Sequence, residues 1–207
     1  MATDGVRSVG ILIFDDVEVL DFCGPFEVFS VARRLDDASD AGRLFEVRTI
    51  AEERRLIRCR GGLLVQPHLA IRDGDAEARC DILVVPGGMG TRRERHNAAL
   101  LDWIATQDRH TELTTSVCTG AFLLAERGLL DGRRATTHWA SIDFMRQTYP
   151  HVTMVDDARF VDEGRIVTSA GISAGIDMSL HVVARLHGAE VAAATARRME
   201  YEMRVGQ

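Results

Sequence analysis

The chain contains no lysine, and all 25 basic residues among its 207 are arginine. That absence removes a Schiff-base lysine, a P-loop lysine and a Ser-Lys dyad from its chemistry. Long apolar runs are missing too. The strongest, VGILIF and ILVVP, are far too short to span a membrane. The N-terminus MATDGVRSV has no apolar stretch of the secretory kind, so a cytoplasmic protein is expected. Net charge is −6 with no basic cluster, which argues against nucleic-acid binding by this chain alone. The seven histidines form no H-x-x-x-H or H-E-x-x-H pair, so no metal site is expected. The turn Gly87-Gly88-Met89-Gly90 lacks G-x-G-x-x-G spacing, and no nucleotide or other cofactor is expected. Four cysteines, at 23, 59, 80 and 118, make no C-x-x-C pattern and read as free thiols.

What remains is an ordinary globular composition, 46% hydrophobic and 27% charged, long enough to bury a sizeable core in one domain spanning 1–207. Apolar runs bounded by turn signals alternate with amphipathic segments. Val9–Phe14 reads as a buried strand, and Pro25 as the opening of a helix through Arg34. Phe45–Ile50 is the next strand, and Leu56–Pro67 a hairpin around Gly61-Gly62. Asp81–Pro86 is continuously apolar, as in a parallel sheet covered on both faces. A helix with Leu100, Leu101 and Ile104 on one face follows, then the strand Glu112–Val117 and the helix Thr119–Arg127, stopped by Gly128. Arg159–Val161 and Arg165–Thr168 flank the turn Glu163-Gly164. Ile176, Leu180, Val183 and Ala184 stripe a late helix capped by Gly188, and a last helix carries ARRMEY. The pattern predicts a three-layer α/β fold with a mostly parallel sheet, whose site lies at the carboxyl ends of the strands.

Three pieces converge on that edge. Thr115-Ser116-Val117-Cys118-Thr119-Gly120 sets a cysteine where a strand turns into a helix, an elbow for a nucleophile. A thiol there meets the positive end of the helix dipole, so a lowered pKa is expected. Val85-Pro86-Gly87-Gly88 ends the preceding strand, where the N–H of Gly88, with that of Thr119, could form an oxyanion hole. Asp21, in Val19-Leu20-Asp21-Phe22-Cys23-Gly24-Pro25, reads equally as a helix cap or as a partly buried acid with a raised pKa that passes a proton. His138, beside Trp139, reads as a hydrogen-bonded packing residue rather than the base of a Cys-His pair, and Asp177 as a helix-capping residue. Cys23 reads as packing, and Cys59 and Cys80 carry no motif.

At these residues the chain resembles the DJ-1/PfpI (ThiJ) superfamily, and within it the isocyanide hydratases. LDFCGPFEV, VVPGG, TSVCTGA, LLDGRRATTHWA and AGISAGID occur in order between about Val9 and Tyr201. The resemblance implies a flavodoxin-like sandwich of the class I glutamine amidotransferase type, catalytic Cys118, Asp21 and Thr119, and a homodimer. It implies a pocket lined by Gly88, Thr119, His138 and Ile172. PfpI-type proteases have histidine directly after the nucleophile, and Thr119 at that position disfavours a protease. The hydratases have threonine there. They have a glycine triplet where this chain has Ser169-Ala170-Gly171-Ile172, and a proline-rich tail where Glu200-Tyr201 is followed by EMRVGQ. The implied reaction is cofactor-free hydration of a small-molecule isocyanide to an N-substituted formamide through a thioimidate on Cys118. Two alternatives stand beside it: a ligand sensor like the N-terminal half of AraC-type regulators, whose DNA-reading helices are not expected in this sequence, or a redox sensor oxidised at Cys118.

Overall fold

The computed structural model describes residues 5–74 and 79–202. A seven-stranded sheet forms its centre. The first strand, β1 (Arg7–Leu12), lies between β2 (Phe45–Ala51) and β6 (Ile82–Val85), parallel to both, with Val9 opposite Val47 and Ile82. Next to β6 comes β7 (Leu113–Val117), then β11 (Ile166–Ser169), and at that edge the antiparallel β10 (Phe160–Asp162). A two-residue β5 (Leu69–Ala70) closes the other edge beside β2. The expected hairpin is present as β3 (Ile57–Arg58) paired with β4 (Leu64–Val65), off the main sheet. β1 ends at Leu12, short of the anticipated Phe14, although Ile13 and Phe14 remain buried beyond it.

Strands β6 and β7 are buried at every position. For β6 the reason is its ILVV composition. β7 is LTTSV, and its hydroxyls need internal acceptors: Thr115 Oγ1 donates to the Leu83 carbonyl at 3.0 Å and Thr114 Oγ1 to Asp108 at 2.7 Å.

Helices cover both faces. On one, α1 (Val19–Val31) packs on β1 and β2 and against α6 (Ala174–His187), with α7 (Ala189–Arg198) beside them. On the other, α2 (Thr91–Glu94) and α3 (Ala98–Asp108) pack on α4 (Gly120–Ala125). A small parallel pair, β8 (Arg134–Ala135) with β9 (Thr153–Met154), brackets α5 (Ile142–Thr148).

Two helix boundaries differ from expectation. Pro25 does not open α1 but sits inside it, six residues after its start. An interior proline opposes a helix by about 3 kcal/mol. Burial of Phe22 in the turn before it and of Val28 and Phe29 after it offers about 1.5–3 kcal/mol for each side chain, and packing wins. Gly24 lets α6 approach: a Cβ there would stand 3.0 Å from Ile176. The last helix stops at Arg198, before the Met199-Glu200-Tyr201 of the expected ARRMEY segment, and Glu200 turns to φ 51°. Tyr201 instead donates its hydroxyl to Asp177 at 3.0 Å. Met1–Asp4 and Met203–Gln207, most of the tail contrasted with the hydratases, lie outside the described residues.

Candidate active site

Cys118 stands at the carboxyl end of β7, between the ends of β6 and β11. This residue follows β7 directly and adopts φ 54°, the left-handed backbone of a sharp elbow. Several bonds hold it there. Its N–H donates to the carbonyls of Ser169 and Ala170 at 3.1 and 3.2 Å, and its own carbonyl accepts the Thr137 hydroxyl at 2.7 Å. The turn after the elbow needs Gly120, where a Cβ would stand 2.0 Å from the Val85 carbonyl oxygen.

Asp21 lies in the first turn of α1 and is completely buried. One carboxyl oxygen accepts the Gly87 N–H at 3.0 Å, while the other is enclosed without a hydrogen-bond partner. Burial raises its pKa from 3.8 to about 7, and the nearby Glu18 charge adds to the rise. The Gly87 amide, the Cys118 side chain and the Ile172 amide act in the opposite sense. Of its two sequence readings, the geometry favours the buried acid, because the oxygen with a partner serves the β6 turn.

Gly87 is a contact point of that turn. A Cβ there would stand 2.5 Å from the Thr119 nitrogen, 2.7 Å from its Oγ1 and 2.9 Å from Asp21 Oδ2. Only a glycine lets the turn, the acid and the residue after the nucleophile approach this closely.

The electrostatics correct one expectation. Cys118 is not acidified: burial first, then the Asp21 charge, push its thiol up to about 12. The Thr119 amide and hydroxyl pull the other way and are outweighed. A helix terminus contributes a fraction of a charge, which does not offset desolvation together with a full carboxylate charge nearby.

A second correction concerns the oxyanion donors. Gly88 faces the cleft, but its N–H already donates to Thr119 Oγ1 at 3.0 Å. The Thr119 hydroxyl also lies 3.0 Å from that of Thr91, a fully buried residue. Thr91, which sequence reasoning missed, braces Thr119 from α2. Of the two expected amide donors, only that of Thr119 faces the sulfur.

The cleft above the thiol has a volume of about 270 Å³, and Gly88, Cys118, Thr119, His138 and Ile172 all line it. Asp21 lies behind the thiol and does not itself line the cleft. His138 packs closely on Gly171 and accepts the Ala140 N–H on Nδ1 at 3.3 Å, so its ring is held as a structural acceptor. Ile172 is half exposed at φ 55°, an uncommon conformation for a β-branched residue. Glu18, Arg60, Met89 and Arg92 join the lining and carry no signal in the sequence. Asp177 lies outside this cleft, on α6, where it pairs with Arg159. Cys59 and Cys80 are buried, and burial pushes both thiols up to about 11. Cys23 is half-buried, with its thiol also raised by burial. Among the described residues, no group of three or more His, Cys, Asp or Glu is placed to hold a metal.

A thiol on a strand-to-helix elbow, at the carboxyl edge of a largely parallel sheet between two helical layers, marks a cysteine-bearing α/β sandwich of the flavodoxin-like kind. Within that class the chain belongs to the DJ-1/PfpI family, which it matches over residues 7–185. It is 33% identical to the isonitrile hydratase of Pseudomonas putida over 194 residues, covering 94% of this chain and 78% of that protein. It is 31% identical to the HTH-type transcriptional regulator GbdR of Pseudomonas aeruginosa over 199 residues, covering 95% of this chain but 51% of the regulator, about half its length. The crystal structure of a ThiJ/PfpI family protein from Pseudomonas syringae superposes with a TM-score of 0.83 at 26% identity, over 97% of this chain and 77% of that one.

Proposed function

We propose that the protein is a cofactor-free hydratase that converts isocyanides to N-substituted formamides. One observation carries the reading. A fully buried carboxyl group with a pKa of about 7 stands beside a thiol that burial keeps protonated, in a chain similar to an isonitrile hydratase. Neither group alone is suited to the reaction near neutral pH. Together they pass one proton back and forth.

In the first step the Cys118 S–H proton moves to Asp21 as sulfur bonds to the terminal isocyanide carbon. Asp21 then delivers a proton to that carbon, giving a thioimidate. Water adds to the same carbon, with Asp21 accepting its proton and returning one to nitrogen. The C–S bond breaks as the hydroxyl proton of the adduct passes to sulfur, so the thiol reforms and the formamide leaves. Atoms balance as isocyanide plus water. Thr119 supports the elbow through its amide and its bond to Gly88. The cleft, at about 270 Å³, falls near the lower end of small-molecule sites, about 300–1,000 Å³.

Formamide release from cyclohexyl isocyanide, compared among wild type, Cys118→Ala and Asp21→Asn, tests the reading. Turnover lost in both variants supports it. A wild type with an intact, modifiable Cys118 and no turnover sinks it.

The similarity to GbdR favours one second reading, a sensor domain that binds a ligand in the same cleft without turnover. Saturable binding with no product would support it. Peroxide-dependent mass gain on Cys118 would move the weight to redox sensing. Either role suits a cytoplasmic homodimer. Among the described residues, no helix is long and apolar enough to cross a membrane.

A further inference from the structure

The floor of the Cys118 cleft is apolar or neutral, but three charged side chains also line it: Glu18, Arg60 and Arg92. Glu18 and Arg60 stand 3.8 Å apart, beyond a good hydrogen bond but close enough for their charges largely to cancel. Arg92 is set differently. Its guanidinium has the Met89 sulfur as its partner, at 3.4 Å, and a thioether is a weak acceptor that carries no charge. It makes no ion pair among the described residues. Its neighbour Arg93 is already engaged with Asp16 and Glu94. His138 is engaged through Nδ1, which accepts the Ala140 N–H. Asp21 is the remaining acid of the site, buried below the thiol and outside the lining. The cleft therefore carries a surplus cation, Arg92, on its wall, while Asp21 lies buried behind the thiol.

We propose that the cleft selects a substrate carrying a carboxylate away from its reacting carbon, with Arg92 as the group that reads it. A guanidinium fork matches a carboxylate in shape and charge. The charge order within the site fixes the polarity of binding. The anionic end is repelled from Asp21 and drawn to Arg92, which leaves the electrophilic end over Cys118. The inference rests on the hydratase reading for the isocyanide itself. The preference for an anion applies to any electrophile that reaches the sulfur.

Two probe pairs test it. The first is alkylation of Cys118 by iodoacetate against iodoacetamide at about pH 9, followed by peptide mass. The ratio of the two rates cancels changes in thiol reactivity. Arg92→Gln is expected to lower the iodoacetate-to-iodoacetamide ratio about tenfold, Arg92→Lys to recover part of it, and about 0.5 M salt to compress the wild-type ratio. A ratio unchanged in Arg92→Gln overturns the proposal. The second pair is isocyanoacetate against cyclohexyl isocyanide in turnover, where Arg92→Gln is expected to raise KM selectively for isocyanoacetate. An equal change for both substrates also overturns it. Absence of turnover on both isocyanides, with an alkylation ratio that depends on Arg92, would refute the hydratase reading while supporting the charge preference.

Discussion

Replacing Asp21 by Asn converts a buried titration into a stability measurement. The carboxyl group is completely buried, and its pKa stands at about 7 against 3.8 for the free group. That gap, about three units at 1.36 kcal/mol each, corresponds to roughly 4 kcal/mol. The sign follows from proton binding. The folded chain holds this proton more tightly than the unfolded chain. The associated stability is therefore fully present below 3.8, declines as pH rises, and is gone above about 7. Cys118, with its thiol pushed up to about 12, does not titrate in that window. Asn keeps a carbonyl oxygen for the Gly87 N–H and does not ionise. The wild type should lose up to roughly 4 kcal/mol relative to Asp21→Asn between about pH 4 and pH 8. Urea unfolding of both proteins at stepped pH measures this directly. Two curves that stay parallel across the window would refute the assignment of a buried, proton-retaining Asp21.

Alkylation of Cys118 by iodoacetamide should keep accelerating up to about pH 10 without a plateau near neutrality. Asp21→Asn, which removes a charge that raises the thiol, should react faster above about pH 7, where the wild-type carboxylate is ionised, and a plateau near pH 7 in wild type would show a preformed thiolate. Gly87→Ala should push Thr119 and Asp21 apart, because the added carbon meets atoms at 2.5–2.9 Å. We expect about 1–3 kcal/mol lost in denaturant unfolding, together with loss of isocyanide turnover. Thr137→Val leaves the Cys118 carbonyl without its 2.7 Å hydroxyl donor, and should destabilise the fold by about 1–3 kcal/mol. An unchanged unfolding midpoint would mean that this bond does not hold the elbow.

The apolar runs at Val9–Phe14 and Asp81–Pro86 make the middle of the sheet legible, since β6 is buried at every position and shows it in composition alone, whereas the burial of the hydroxyl-rich β7 rests on internal acceptors. The Cys118 corner was legible for a similar reason: a strand followed at once by Thr-Gly and an apolar helix leaves little other geometry. Pro25 misled because helix punctuation is a local signal, and here the packing of Phe22 and Phe29 overrides it. Tyr201 left the predicted helix for a partner, Asp177, that lies 24 positions away. The sign of the thiol shift is not legible in the sequence, because the helix dipole can be read there, whereas the depth of burial and the proximity of Asp21 cannot. The glycines of the β6 turn suggest an amide open to the cleft, and the folded turn commits that of Gly88 to Thr119. Arg60 and Arg92 were invisible as site residues, since only the assembled turn and hairpin bring them to the cleft.

The enclosed Asp21 also makes the protein a proton buffer with a single internal compartment. With burial raising its pKa to about 7, the group changes charge state near neutrality rather than in the ordinary carboxylate range. Whatever enters the cleft and favours one charge state must exchange a fraction of a proton with the solvent. The heat of binding measured in phosphate and in Tris should then differ, because the two buffers release that proton at different enthalpies. An affinity quoted for this site has meaning only alongside the pH at which it was taken.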